Sequence, residues 1–215
     1  MRIVITGGCG FLGRRVALKL LAEGSPLGRV DELALFDNAP SALPLPEDKR
    51  LTLVTGDIAD RETIARLITR DTDAVFHLAA IVSGQAEADT ELGYRVNLDG
   101  TRALFDAVRL AAFAPRLVFT SSIAVFGAPF PDVIPDEFHP TPLTSYGTQK
   151  LISEALLADY SRRGFFDGIG IRLPTICVRP GKPNKAASGF FSGIIREPLA
   201  GQEAVLPVPE TVRHW

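Results

Sequence analysis

Two side chains of this sequence, those of Tyr146 and Lys150, are suited to moving a proton. They stand four positions apart, a spacing that places them on one face of a helix about one turn apart. A free phenol is a poor base at neutral pH because its pKa is about 10, and a lysine cation held nearby favours the phenolate and lowers that pKa. The pair therefore indicates acid–base catalysis at an alcohol or carbonyl oxygen. The same spacing also occurs by chance in ordinary helices, so its meaning depends on the elements around it.

Those elements alternate between short apolar strands and longer amphipathic helices. The sequence predicts strands over residues 2–6, 32–37, 51–55, 74–78, 117–121 and 168–173, and helices over 11–23, 60–70, 90–113, 145–163 and 188–199. Such alternation is typical of a parallel sheet with helices on both faces. We therefore predict an α/β fold with a doubly wound parallel sheet, in which functional sites lie at the carboxyl ends of the strands.

A glycine-rich turn joins the first predicted strand to the first helix. Gly7, Gly10 and Gly13 stand three positions apart, and glycine permits both a positive φ and a close approach of backbone to phosphate. Free amides at the start of the following helix, together with the helix dipole, favour a pyrophosphate. A plain tight turn is the alternative interpretation, but the strand–turn–helix context that the motif needs is present.

Acidic residues end the second and third predicted strands. Asp37, 24 residues beyond Gly13, is placed to accept hydrogen bonds from an adenosine ribose and to repel a 2′-phosphate, which favours NAD over NADP. The carboxylate of Asp57 is a candidate partner for the adenine amino group. For both residues the alternative is a simple role in a turn.

These features resemble the extended short-chain dehydrogenase/reductase family, the group that contains nucleotide-sugar epimerases and dehydratases. The resemblance runs through residues 1–150 in the family's order and is carried by the three glycines, Gly56-Asp57-Ile58, His77-Leu78-Ala79-Ala80, Asn97, Thr120-Ser121-Ser122 and the Tyr146–Lys150 pair. It implies a Rossmann-fold NAD-binding domain over residues 1–174. Residues 175–215 are expected to form part of a substrate-binding lobe that continues further in relatives.

The resemblance also implies roles for individual residues. Ser122 would hydrogen-bond the reacting oxygen, Tyr146 would be the acid/base, and Lys150 would bind the nicotinamide ribose and tune Tyr146. Asn97 would support the helix beside the active site. For Ser122 alone, a loop serine that satisfies backbone groups is the alternative. The NAD site is expected to comprise Gly7, Gly10, Phe11, Leu12, Gly13, Asp37, Asn38, Asp57, Ile58, Leu78, Ala79, Ala80, Asn97, Tyr146, Lys150 and Pro174.

The segment after residue 174 suggests the substrate. Residues 179–193 are basic and rich in small side chains, and here the chain looks most like family members that oxidise C2 of a four-carbon sugar acid with NAD. A carboxylate substrate needs a cation or hydrogen-bond donors. The candidate substrate residues are Ser83, Ser122, Tyr146, Asn184, Lys185 and Arg213. For Lys185 the alternative is a solvated loop lysine.

Composition argues against several other classes of protein, namely nucleic-acid-binding, membrane-spanning, disulfide-rich and metal-binding proteins. The chain has 215 residues, of which 46% are hydrophobic and 22% charged, with a net charge of -2. This balance gives no electrostatic case for nucleic acid or an anionic membrane surface, and no apolar run approaches the ~18 residues that span a bilayer. Two cysteines and three scattered histidines indicate neither a disulfide framework nor a metal site. We expect a cytoplasmic protein.

The resemblance further implies a homodimer formed through the predicted helices 90–113 and 145–163. Leu104, Leu156 and Leu157 are either candidate contacts of that dimer or core residues.

Three functions remain open at this point. The first is an NAD-dependent dehydrogenase of a small sugar acid. The second is a nucleotide-sugar epimerase or dehydratase that keeps NAD tightly bound. The third is a non-catalytic NAD-binding scaffold, since fold alone does not fix function. The complete set of Ser122, Tyr146 and Lys150 speaks against the third, because a binding module needs only the glycine loop.

Overall fold

A single parallel sheet organises the chain. The computed structural model describes residues 1–41, 44–111, 113–181, 183 and 185–211. Its six strands pair in the order β3-β2-β1-β4-β5-β6, and every pairing is parallel. The strands are β1 (Arg2–Thr6), β2 (Glu32–Asp37), β3 (Leu51–Thr55), β4 (Thr72–His77), β5 (Arg116–Ser122) and β6 (Asp167–Leu173). The strand order reverses between β1 and β4, which is where ligands bind in sheets of this kind.

Helices connect the strands. The α-helices are α1 (Phe11–Leu21), α2 (Arg61–Leu67), α3 (Ser83–Ala88), α4 (Thr90–Gly93), α5 (Gly100–Ala111), α6 (Ser145–Arg162) and α7 (Phe190–Leu199). A π-helix over Tyr94–Asp99 joins α4 to α5, and short 3-10 turns cover Ile123–Val125 and Ala187–Gly189. In the described part of the chain, no helix combines the length and the apolar character needed to cross a membrane.

Buried apolar side chains cover both faces of the sheet. Successive residues of a strand point to opposite faces, and along β1 they enter two different clusters. Val4 joins the cluster that packs under α2, α5 and α6, whereas Ile3 and Ile5 join the cluster under α1. The predicted doubly wound α/β fold is therefore confirmed.

Two local features differ from the expectation. The helix predicted over 90–113 is found as a continuous helical segment from Thr90 to Ala111, but its turns over Tyr94–Asp99 are π-helical. Just before the π-helix, the backbone at Gly93 packs so closely on α6 that an added Cβ would lie 2.7 Å from Gln149 Nε2. Helix α3 was not predicted, since its six residues lack an apolar repeat.

Two of the three leucines considered for a dimer contact belong to the core. Leu104 is 0% exposed and Leu157 is 5% exposed, and Leu156 packs against the same cluster. Leu104 and Leu157 are thus unavailable to a partner. The homodimer itself stays a prediction, as does the domain boundary at residue 174.

Candidate active site

The glycine loop has a shape that only glycines allow. Gly7 adopts φ +70°, and an added Cβ there would lie 2.8 Å from the backbone nitrogen of Ala79. An added Cβ at Gly13 would lie 2.2 Å from the carbonyl oxygen of Gly7. Helix α1 starts at Phe11 with no side-chain cap and no acidic residue in its first turn. Its amino end therefore offers amides and a positive dipole to an anion, with the backbone of Leu12 in the first turn.

Asp37 stands beside this loop at the carboxyl end of β2. Its Oδ2 accepts a hydrogen bond of 3.0 Å from the amide of Cys9, and its Oδ1 accepts one of 2.8 Å from the amide of Asn38. The carboxylate is therefore held at the edge of the glycine loop.

Asp57 is held in a different way. Its carboxylate pairs with Arg95 of the π-helix and accepts a hydrogen bond of 2.9 Å from the amide of Ala59. The hydrogen bond from Arg95 is the main cause that lowers the pKa of Asp57. The side chain of Ile58 packs into the core against Gly100. Sequence reasoning missed Arg95, which lies in a segment that the sequence predicts as plain α-helix.

The segment Leu78–Ala80 completes the wall opposite the glycine loop. The amide of Leu78 donates to the carbonyl of Thr6 over 3.0 Å, and the backbone of Ala79 touches Gly7. Asn97, which is fully buried, holds the backbone of Ile81, the residue that follows this segment. Pro174 follows directly after β6 and is exposed.

The three predicted catalytic residues lie together at the carboxyl end of β5. Ser122 ends β5, and its hydroxyl accepts a hydrogen bond of 3.1 Å from the amide of Ala124 and contacts the phenol of Tyr146. Thr144 caps α6 by accepting from the amide of Gly147 over 3.0 Å, which starts the helix one residue before Tyr146. Lys150 is 2% exposed and lies on the same face, 5.8 Å from the centre of the Tyr146 ring.

The ammonium of Lys150 is fixed by its surroundings. Its Nζ donates a hydrogen bond of 2.9 Å to the carbonyl of Thr120 and lies 4.8 Å from the centre of the Phe119 ring. Burial lowers the pKa of Lys150 to about 8, and the nearby carboxylate of Glu154 opposes that shift. The side chain is thus a rigidly held cation that loses its proton more easily than a free lysine.

The expected lowering of the Tyr146 pKa is not found. The pKa of Tyr146 is raised rather than lowered, because burial disfavours the phenolate more than the hydrogen bond from Ser122 favours it. The sequence places the two side chains on one face, but it does not say how deeply the fold encloses them.

A polar cluster of Glu154, Ser121 and Arg172 next to Lys150 was not predicted. Glu154 lies one helical turn after Lys150, accepts a hydrogen bond of 2.5 Å from Ser121 and pairs with Arg172 of β6 at 2.8 Å. The cluster joins β5, α6 and β6 next to the predicted catalytic residues. Continuing the four-residue spacing from Tyr146 through Lys150 would have indicated Glu154.

The predicted substrate residues are placed unevenly. The hydroxyl of Ser83 accepts a hydrogen bond of 3.2 Å from the amide of Ala187. The side chain of Lys185 is exposed, and its carbonyl oxygen packs on Gly84, where an added Cβ would be 2.3 Å away. Ser83 and the segment around Lys185 are therefore neighbours, close to Leu78–Ala80. Asn184 and Arg213 lie outside the described residues.

Comparison with known proteins identifies the family. Residues 3–215 match the NAD dependent epimerase/dehydratase family. The chain belongs to this family. It is 54% identical to a D-erythronate dehydrogenase of Cupriavidus necator over 98% of this chain and 66% of that protein. It is 49% identical to a D-erythronate dehydrogenase of Haemophilus influenzae over 100% of this chain and 67% of that protein.

Solved structures of epimerases share the fold of this chain. A crystal structure described as the nucleoside-diphosphate-sugar epimerase from Agrobacterium tumefaciens matches with a TM-score of 0.91 and 59% identity, over 100% of this chain and 64% of that one. The UDP-glucose 4-epimerase of Thermus thermophilus, in complex with NAD, matches with a TM-score of 0.78 and 26% identity, over 94% and 64%. The chain spans about two thirds of the length of these relatives.

Proposed function

We propose that this protein is an NAD-dependent dehydrogenase that oxidises C2 of D-erythronate to 2-dehydro-D-erythronate. The observation that carries the proposal is the cluster of Ser122, Tyr146 and Lys150 at the carboxyl end of β5, on the same edge of the parallel sheet as the glycine loop after β1. The substrate follows from the similarity to two D-erythronate dehydrogenases. Because the chain spans about two thirds of those relatives, the proposal concerns the protein as a whole.

The residues present fit the proposed cofactor. The backbone of the glycine loop closes tightly, since any Cβ at Gly13 would collide with the carbonyl of Gly7, and the uncapped start of α1 next to it offers free amides to a pyrophosphate. The carboxylate of Asp37 is tied to the amide of Cys9 and is suited to a ribose diol. A 2′-phosphate at the same point would be repelled, so we infer NAD rather than NADP.

The side chains divide the reaction between them. Bound NAD would accept the hydride that leaves C2 with the electron pair of the C–H bond. The hydroxyl proton passes to the phenolic oxygen of Tyr146 as the C=O bond forms. The oxygen of Ser122 accepts from the amide of Ala124, and its single hydroxyl hydrogen, which is directed at the phenol of Tyr146 in this structure, would be donated to the substrate oxygen once substrate is bound. The cation of Lys150 stabilises the phenolate.

The test is NADH formation by the full-length protein with D-erythronate and NAD, followed by absorbance. Tyr146→Phe is expected to lower kcat by at least about 100-fold, the range of general acid–base catalysis. Tyr160→Phe is the matched control, because its hydroxyl bonds Asp106 away from the site, and it should keep wild-type activity. Equal rates for wild type and Tyr146→Phe, across a panel of four-carbon sugar acids, would refute the proposal.

A nucleotide-sugar epimerase or dehydratase is the second candidate. The observation in its favour is the name of the Agrobacterium tumefaciens protein, an epimerase 59% identical to this chain. That function keeps the cofactor bound and returns the hydride to the product. It predicts NAD that remains with the protein after exhaustive dialysis and product without net NADH. Cofactor that exchanges freely, with one NADH formed for each sugar acid oxidised, excludes it.

A non-catalytic scaffold makes a third set of predictions. The buried ammonium of Lys150 is expensive to keep in a protein that only binds NAD, so the site favours catalysis. A protein that binds NAD normally, yet shows the same background rate as Tyr146→Phe with both substrate classes, would support the scaffold.

A further inference from the structure

Four fully buried polar residues form a connected group behind the segment Leu78–Ala80. Thr6 ends β1, His77 ends β4, Asn97 lies in the π-helix and Thr101 lies in α5, and none is more than 1% exposed. Buried polar groups of this kind are retained only when they are hydrogen-bonded. Their partners fix the direction of every bond.

The direction is set at Thr101. A threonine hydroxyl has one hydrogen to donate, and that hydrogen goes to the backbone carbonyl of Asn97, which lies 2.6 Å away. His77 Nε2 lies 2.8 Å from the same hydroxyl oxygen. Because Thr101 has no second hydrogen, it must accept here, and His77 must carry its proton on Nε2.

The opposite nitrogen then has to accept. His77 Nδ1 lies 2.6 Å from the hydroxyl oxygen of Thr6, and this hydroxyl donates its hydrogen to the ring. The oxygen of Thr6 in turn faces the amide of Ala79 at 3.4 Å. Burial and the charge of Lys150 lower the pKa of His77 to about 3, so the ring stays neutral. The bonds run in one direction, from Ala79 through Thr6, His77 and Thr101 to Asn97.

Asn97 closes the group on the far side of the same segment. Its Oδ1 accepts from the amide of Ile81 over 2.9 Å, and its Nδ2 donates to the carbonyl of Ile81 over 3.2 Å and to Gln149 Oε1 over 2.8 Å. The segment between His77 and Ile81 is therefore held at both ends by one network of hydrogen bonds. Gln149, a residue of α6, connects this network to the helix that carries Tyr146 and Lys150.

We propose that His77 is a positioning residue for the cofactor, acting as a neutral imidazole protonated on Nε2 that sets the backbone of Leu78–Ala80 against the glycine loop. This inference rests on the proposed cofactor, because that backbone forms the wall opposite Gly7. The imidazole of His77 acts on the cofactor site indirectly, through Thr6 and Ala79 on one side and through Thr101 and Asn97 on the other.

Two measurements test it on the full chain. Long-range ¹⁵N–¹H NMR of histidine-labelled wild-type protein near neutral pH reads the tautomer of His77 directly, and the Nε2-protonated neutral form is expected. Calorimetric titration with NAD reads the cofactor site in Thr101→Val, which removes the hydroxyl without changing the side-chain shape. Loss of this buried bond should raise the Kd for NAD about tenfold, while Thr101→Ser restores it.

The control is Thr72, a buried threonine at the opposite end of β4 from His77. Thr72 lies at the start of β4 and bonds Arg2 and Thr69, so Thr72→Val should lower stability without changing the Kd for NAD. A His77 that is protonated on Nδ1 or on both nitrogens overturns the inference even if Thr101→Val does not fold. Unchanged NAD affinity in Thr101→Val, or an equal loss in Thr72→Val, also overturns it. None of these readouts depends on oxidation of a sugar acid, so their failure is distinct from failure of the proposed function.

Discussion

Acidification should unfold this protein earlier than its carboxylates alone would require, and His77 is the reason. The pKa of this side chain falls from 6.5 to about 3 in the fold. Between those two values the unfolded chain takes up a proton that the folded chain excludes. The stability contributed by the neutral ring is thus fully present above pH 6.5 and is lost as the pH falls towards 3.

The size of the effect follows from the two pKa values. One pKa unit corresponds to about 1.36 kcal/mol. At a pH of about 5 the unfolded histidine is mostly protonated while the folded ring is still neutral, so the free energy of unfolding should be lower by about 2 kcal/mol than at a pH of about 7.5. This is a large part of the stability of a typical domain, which is about 5–15 kcal/mol.

Urea unfolding followed by far-ultraviolet circular dichroism measures this loss at the two pH values. Since Asp and Glu residues also titrate, the informative quantity is the difference between variants. His77→Gln replaces the ring by a group that does not titrate, and its loss between the two pH values should be smaller than that of the wild type by about 2 kcal/mol. His139→Gln is the control because His139 is exposed, and its loss should match the wild type. Equal losses in wild type and His77→Gln would refute the buried neutral ring.

Two further substitutions test the site itself. Gly13→Ala places a Cβ 2.2 Å from the carbonyl oxygen of Gly7, so it should weaken NAD binding and lower the free energy of unfolding, measured by urea titration, by about 1–3 kcal/mol. Gly10→Ala is the control, because its Cβ would lie 3.2 Å from the same oxygen and should lower that free energy less. Equal stabilities of the two variants would contradict the glycine geometry. Lys150→Met removes a buried ammonium whose pKa is lowered by burial, so it should abolish NADH formation yet raise the free energy of unfolding by about 1–3 kcal/mol. A variant that is both inactive and less stable than the wild type would show that Lys150 also supports the fold.

The strands and the cofactor loop are the parts that local pattern specifies. Short apolar runs, a glycine turn directly after the first of them and Asp37 after the second are visible without any tertiary information, and the structure places them as predicted. The π-helix over Tyr94–Asp99 is different. The amphipathic repeat continues through it without a local signal, and Gly93, which precedes it, packs on Gln149, a residue 56 positions later in the chain.

The same division holds in the site. The helical spacing of Tyr146 and Lys150 predicts their common face, because that property depends on the helix alone. The partner of Asp57 was missed, because Arg95 reaches it from 38 residues further along the chain. The direction of the Tyr146 pKa was predicted wrongly, because it depends on how much water the folded site excludes.

Burial acts in opposite directions on the two central side chains, and this defines what the site still needs. A free phenol loses its proton at about 10 and a free lysine at about 10.4, so in water the phenol ionises first. In the fold the pKa of Tyr146 is raised above 10.0 and that of Lys150 is lowered to about 8, so the order is reversed. Raising the pH therefore removes the proton of Lys150 before that of Tyr146. Under the proposed function, the positive charge of an oxidised nicotinamide ring near Tyr146 would favour the phenolate and lower the pKa of this side chain again. We therefore expect Tyr146 to be a more effective base with the oxidised cofactor in place than in the free protein.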